Sequence, residues 1–552
     1  MGPQERLARL VANYWEDSRR RTPADVEDIS PQFLADSLAL ERRYLAALLA
    51  IPPPLADPES MLTYQMFRRG RQSAIEGFVY PSELLPVNPF DSMPQRFLHA
   101  VAGVDARAVS GDADLQRWLG SVDAYARWTG QAIANLRDGA RRGYTVPRVL
   151  IEDLLPPLAA LGADSADNPF YGAVRVIPGN LPEAVRNRLR TRMGAAVKDK
   201  ILPAYRTLYD FLKTEYLPRA RTSVGLAALP LGDAWYAFRV RLKTGGQLSP
   251  AEIQVQGETE VERVHQRMMS LLAEVGYADN ARGYIDSLRR DPHAAFATAE
   301  ELMSYYGALR EQTAAAMPAL FSDPAPADLE LRAVQGFEAA SAPPVFYRGA
   351  DPGEKSPGVL YVNVAADAAA ARMADAPQFL QEGLPGKLYR ISIQRTRPDL
   401  PAFRRYGDDP AFAAGWDLYA ATLGDDLGVY RDAAPRFLVL LRQLQCAAGV
   451  VVDTGLHAQG WSRQRAIDYV AAKLPIDEAR ASALVDRDIS SPADALSCTL
   501  GERKIRALRA AAEQALGARF ETQALHAALL DGGAMPLDLL ETRVKRWVDA
   551  QR

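Results

Sequence analysis

The recurrence of apolar side chains at three- and four-residue spacing constrains this chain more than any other feature. The pattern runs from Pro31 to Leu49, from Asp114 to Leu136, from Pro182 to Tyr216 and from Pro250 to Val275. Such spacing lines one face of an α-helix, so the chain must bury helix against helix. Start and stop signals agree. Ser249 can cap a helix with Pro250 in its first position, where a missing N–H loses nothing. Ser491 with Pro492 repeats that device before a helix predicted to run to about Leu516, with Gly517 as its stop. Asp531-Gly532-Gly533 breaks the next helix, and Pro536 opens the last. Strand signals are short: alternation at Tyr236 to Leu242, Val345 to Tyr347 and Val359 to Val364. The last two flank a turn-rich stretch from Gly349 to Gly358. The expected fold is mainly α, two helical lobes around a central cleft with a small sheet beside it. The lobes are taken as 1–340 and 341–552, with the boundary near Ser341.

The 552 residues, 48% of them hydrophobic, are enough for a substantial core. The formal net charge is -3 with both signs interspersed, which gives no electrostatic footprint for nucleic acid or an anionic membrane. No uninterrupted apolar run approaches the roughly 20 residues that span a bilayer. Met1 to Asn13 carries Glu5, Arg6 and Arg9 and reads as the start of an amphipathic helix, without the apolar core of a secretory signal. The two cysteines, Cys446 and Cys498, are too few for a disulfide framework and suit a reducing compartment. These observations point to the cytoplasm, although a leader removed beforehand would leave the same sequence. The five histidines, His99, His265, His293, His457 and His526, include no close pair, and neither H-E-x-x-H nor C-x-x-C occurs. A histidine-rich metal site would have to be assembled from distant segments.

Five segments, in order, carry a resemblance that spans nearly the whole chain. They are Ile201 to Leu212, Leu229 to Tyr236, Pro357 to Asn363, Val451 to Trp461 and His526 to Leu540. Together they resemble the bacterial family called domain of unknown function 885, which is similar to helical zinc peptidases. The resemblance implies a signature H-E-x-x-P-G-H with a third ligand from a downstream E-G-W. Two imidazoles and a carboxylate would hold zinc with an open fourth position for water, and the glutamate beside the first histidine would take that water's proton.

Here the signature reads Gln381-Glu382-Gly383-Leu384-Pro385-Gly386-Lys387, and the downstream segment ends Ala414-Gly415-Trp416. All three implied ligand positions have changed. An amide oxygen is a poor zinc ligand, a protonated lysine has no free lone pair, and alanine offers nothing. No metal and no other cofactor is therefore expected. Zinc with two histidines and a carboxylate carries about +1, as do Gln381, Lys387 and Ala414 together. Lys387 is accordingly expected to replace the metal's charge and hold Glu382 as an ion pair.

The resemblance also places Asp453, His457 and Arg487 near the same site, and sets Cys498 where a tyrosine is usual. Candidate catalytic residues are thus Glu382, Lys387, His457, Arg487 and Cys498. Candidate ligand-binding residues are Tyr347, Tyr361, Asn363, Gln381, Asp453 and Trp416. Each has a structural alternative. Glu382 can be a buried carboxylate satisfied by Lys387 or Arg487. His457 can hydrogen-bond within the core, and Asp453, four residues earlier on one helical face, can orient it or start a turn. Cys498 can be a nucleophile only with a base in reach. Three readings stay open. The first is a pseudopeptidase binding a peptide-like or amino-acid-derived ligand along the Val359 to Val364 strand edge. The second is a repurposed metal-independent enzyme for amide or biosynthetic chemistry. The third, an active zinc peptidase with relocated ligands, is the least favoured. Oligomeric state has no signal in the sequence.

Overall fold

The computed structural model describes residues 2–21, 26–54, 57–102, 109–175, 177–246, 248–291, 296–326, 329–334, 339, 342–349, 358–364 and 375–552. Ser341, where sequence places the lobe boundary, lies outside these residues, as do residues 350–357 of the turn-rich stretch. The chain divides into two compact units. One comprises Met1–Ala12, Pro53–Phe67 and Tyr236–Arg552; the other comprises Asn13–Pro52 and Arg68–Trp235.

The second unit is built on the long helix Asp112–Arg142, whose Trp118, Val122, Tyr125 and Leu136 are buried. Its core is aromatic. Tyr125 stacks on Phe97 at 4.2 Å and meets Tyr205 at 5.0 Å, and Phe170 meets both Phe97 and Tyr205. The helix Pro31–Leu49 begins where predicted, with Ser30 as its cap. The pattern predicted over Pro182 to Tyr216 is helical throughout, its α-helical pieces Glu183–Ala196 and Leu202–Phe211 each followed by a π-type turn.

The first unit holds all of the candidate site residues. Pro250–Glu274 forms as predicted, with a reciprocal capping box between Ser249 and Glu252. Tyr236 to Leu242 is not a strand but part of the helix Gly232–Thr244. Tyr236, Val240 and Thr244 recur at four-residue spacing and are buried, so a short alternation there was also a helical face. Ser491 and Pro492 do not open a helix either. The Ser491 N–H closes the preceding helix onto Arg487, and the next helix, Leu496–Leu516, starts five residues later. Gly517 ends it at φ +52, as expected.

Three strands form one sheet: β1 (Glu330–Ala333), β2 (Val345–Gly349) and β3 (Gly358–Val362), in the order β1-β3-β2. β3 pairs parallel with β1 and antiparallel with β2, with Tyr347 opposite Leu360. The strand expected to offer a free edge is therefore the central one, with both its edges in use. Val345, Tyr347, Leu360 and Val362 face the core shared with Phe379, Leu380, Trp416 and Tyr419. The helices Pro410–Thr422 and Leu496–Leu516 approach closest where Gly415 meets Gly501. A Cβ on either would run into the other helix's backbone. The helix Ala433–Ala458 is long and apolar enough to cross a bilayer, but most of it is buried.

Candidate functional site

The Gln381-to-Lys387 segment joins two helices, Ala376–Glu382 and Lys387–Thr396. Asp375 caps the first by accepting from the Gln378 N–H at 2.9 Å. Gly383 closes it through its N–H to Phe379 O, and Gly386 opens the second. A Cβ at Gly386 would collide with the carbonyls of Leu380 and Gln381, so only glycine fits. The Trp416 indole N–H donates to Pro385 O at 3.0 Å, beneath the turn. The Pro-Gly frame and Trp416 thus have structural work that does not depend on a metal.

Two side chains of the first helix face β2. The Tyr347 backbone N–H donates to Glu382 Oε2 at 3.2 Å, and the Gln378 amide donates to Val345 O at 3.0 Å. These are main-chain groups of the strand's outer edge, the kind that an added strand would otherwise take. Arg442 secures the arrangement from the Ala433–Ala458 helix, donating to Gln378 Oε1 at 2.6 Å and to Asp375 at 2.5 Å. Lys387 Nζ lies 3.6 Å from Glu382 Oε2, with the lysine side chain 37% exposed and the carboxylate 15%. Beside them, Gln381 Oε1 is buried without a hydrogen-bond partner.

Sequence reasoning missed two residues of this group. Arg390, fully enclosed, reaches Asp417 at 3.3 Å and Asp408 at 3.1 Å. Burial pushes the Asp417 carboxyl up to about 7, against the pull of Arg390; the nearby Glu382 charge adds to the rise and Lys387 opposes it. Asp417 follows Trp416 directly, and Arg390 lies three residues after Lys387 on one helix. Spacing from the motif was their only signal.

The remaining candidates lie elsewhere. Asp453, fully buried, accepts from the Tyr236 hydroxyl at 2.5 Å and from the Ala493 N–H at 2.9 Å. It thereby holds Ala493 at φ +71, a left-handed conformation that alanine rarely adopts. Burial pushes the Asp453 carboxyl up to about 7, and the Tyr236 and Ala493 donors offset part of that. His457 Nε2 donates to the Asp488 backbone carbonyl at 3.0 Å, which fixes the proton on that nitrogen. Arg487 has an exposed side chain. Along its helix His457 lies fifteen residues beyond Arg442, about 22 Å at the helical rise. The structure therefore brings Glu382, Lys387 and Gln381 together and sets Asp453 and His457 in a second group with Tyr236.

Cys498 has no free thiol: it is bonded to Cys446, which removes the proposed nucleophile. Tyr361 stacks on Phe346 at 5.4 Å, on the face of the sheet opposite Tyr347. The Asn363 amide donates to the carbonyls of Ala339 and Ala342. Trp416 is buried.

The residues present do not fit a zinc ion. Lys387 is directed at Glu382, Ala414 carries no donor atom, and one amide oxygen is left of the implied set. Among the described residues, no group of three or more His, Cys, Asp or Glu side chains is placed to hold a metal.

The model of a family described as bacterial protein of unknown function (DUF885) matches residues 14–544. The chain belongs to that family. Its fold is also that of two solved structures. A candidate lipoprotein from Colwellia psychrerythraea superposes with a TM-score of 0.90 at 22% identity, covering 100% of both chains. A candidate lipoprotein of unknown function from Shewanella oneidensis gives 0.70 at 16% identity, covering 97% of this chain and 99% of its own. No curated protein matches. At these identities the likeness is one of fold. For this DUF885 member it establishes a mainly helical chain with a small three-stranded sheet.

Proposed function

We propose that this DUF885 protein is a metal-independent, non-hydrolytic relative of zinc peptidases that binds a peptide or amide-like ligand beside Glu382. One observation carries the reading: the carboxylate that would serve as general base is engaged by the Tyr347 N–H and by Lys387. A base held by a strand edge and a cation is not free to take a proton from water. The neighbouring groups suit an amide. Lys387 is part-exposed and can donate to a carbonyl, and Gln381 Oε1 has no donor and can accept an amide N–H. β3 is central in the sheet, so added-strand binding along it is dropped in favour of this local recognition.

The site of action is read as an oxidising, extracytoplasmic compartment, replacing the cytoplasm suggested by the cysteine count. The Cys446–Cys498 bond supports this, as does the description of both fold relatives as candidate lipoproteins.

The test combines elemental analysis, peptide hydrolysis assays with and without added zinc, and binding of blocked peptides. The expected result is no stoichiometric metal, no turnover, and binding weakened at least tenfold in Gln381→Leu and Lys387→Met. Turnover that disappears in Glu382→Gln would overturn the reading in favour of an enzyme.

A further inference from the structure

A cavity of about 550 Å³ lies in the Tyr236–Arg552 part of the chain, and it shares no residue with the Glu382 group. Its walls include Arg267, Arg506, Arg509 and Gln443, and the carboxylates Glu274 and Asp425. Where two helices meet beside it, guanidiniums outnumber the carboxylates they touch. The helices Pro250–Glu274 and Leu496–Leu516 bring Arg263, Arg267, Arg503 and Arg506 around two carboxylates, Glu260 and Glu502. Glu260 takes Arg263 at 2.7 Å, Arg503 at 3.0 Å and Arg506 at 3.1 Å. Glu502 takes Arg506 at 2.7 Å. Four guanidiniums thus face two carboxylates. Arg267 is the one left over, with no hydrogen bond or ion pair among the described residues. Partial burial and the charges of Arg263 and Arg506 push its guanidinium below the ordinary arginine range, and the Glu502 charge opposes them without a direct contact.

A second group at the cavity is also incomplete. Gln443 is buried, and its amide donates to Glu502 at 3.1 Å. That bond fixes which end of the amide faces the carboxylate, and it leaves Oε1 buried with no donor. On the third side Arg509 is held in place, donating to the Tyr419 hydroxyl at 3.0 Å and to Glu513 at 2.8 Å. Leu271 and Leu440 supply an apolar wall.

An unmatched guanidinium, an unmatched amide acceptor and an apolar wall ask for an anion that also carries an N–H and an apolar body. We propose that this cavity binds an N-acylated amino acid or a peptide C-terminus. Its carboxylate meets Arg267 and Arg506, its N–H meets Gln443 Oε1, and its side chain lies on Leu271 and Leu440. The proposal does not depend on the Glu382 reading, because the blocked peptides used there lack a free carboxylate.

The test is calorimetric titration of the full chain with N-acetyl-leucine, N-acetyl-leucinamide and inorganic phosphate. The expected result is saturable binding of N-acetyl-leucine, at least tenfold weaker binding of the amide, and no competition by equimolar phosphate. Arg267→Met removes a group with no partner in the fold, so it should melt like the parent and lose at least tenfold in affinity for N-acetyl-leucine. Equal binding of acid and amide, unchanged affinity in Arg267→Met, or no saturation at millimolar ligand would each overturn the proposal. Equal competition by phosphate would reduce the site to a general anion site and overturn the assigned ligand class.

Discussion

Asp417 and Asp453 hold carboxyl groups where burial raises their titration to about 7, against about 3.9 in an unfolded chain. The folded state therefore binds more protons between those values, and stability falls as pH rises from about 4 to about 7. His526 works in the opposite direction. Burial lowers it to about 4, its Nδ1 N–H donating to Leu320 O while Nε2 accepts from Tyr419. Against an ordinary 6.5, it loses stability as pH falls from 6.5 towards 4. Below 6.5 the two effects oppose one another; above it the carboxylates act alone. Melting temperatures in matched buffers should accordingly decline from pH 6.5 to 7.5, and Asp453→Asn should flatten that decline. An unchanged slope in the variant would assign the decline to other groups. At the motif, Glu382→Ala leaves the Tyr347 N–H without its acceptor and should cost about 1–3 kcal/mol in urea unfolding. Lys387→Met removes only a part-exposed ion pair and should cost less than about 1 kcal/mol. The reverse order would mean that the charge pair, rather than the strand contact, fixes Glu382. The pairing of Glu382 with Lys387 was legible because the two bracket one motif. Asp417 and Arg390 were not, since a lone charge becomes informative only once the fold encloses it.

Helices were the most legible elements, because long stretches repeat the 3.6-residue period many times over. Tyr236 to Leu242 failed for lack of length: over seven residues a two-residue and a four-residue repeat select nearly the same positions. Ser491-Pro492 failed because a tertiary contact, Asp453 to the Ala493 N–H, claimed the turn that local chemistry would have made a cap. The Gly415–Gly501 crossing gave no sequence signal either, since what matters is the backbone of another helix. It makes a firm prediction all the same. Gly501→Ala drives a methyl into the facing helix and should destabilise by more than about 2 kcal/mol, or prevent folding. Wild-type stability in that variant, measured by chemical denaturation, would mean the helices can part freely. The disulfide ties the Ala433–Ala458 helix to Leu496–Leu516 across a sequence separation of 52 residues. Chain entropy values such a closure at about 4 kcal/mol. Non-reduced protein should be lighter than reduced by two hydrogens, and Cys446→Ser with Cys498→Ser should lower the denaturation midpoint. Free thiols in protein prepared under oxidising conditions would refute the bond.

For the molecule as a whole, the family resemblance read from five segments extends over residues 14–544, and the match holds although no implied zinc ligand survives. What the sequence could not convey was how its candidate residues divide: one group around the Gln381-to-Lys387 turn, a second around Asp453 and His457, and Cys498 spent in a covalent bond with Cys446. Residues that are neighbours in a motif need not share a chemical task once the chain has folded.

The contact between Glu382 and the Tyr347 N–H also limits what a redesign of this chain towards the implied zinc signature can achieve. Installing Gln381→His, Lys387→His and Ala414→Glu together supplies three donors of the kind zinc requires, two of them flanking the Pro385-Gly386 turn and the third on the Pro410–Thr422 helix. Such a triple variant should retain zinc through dialysis yet hydrolyse peptides poorly, because the base is still fastened to the sheet. Gaining a metal and gaining catalysis would thus be separate steps, and the second begins at the strand.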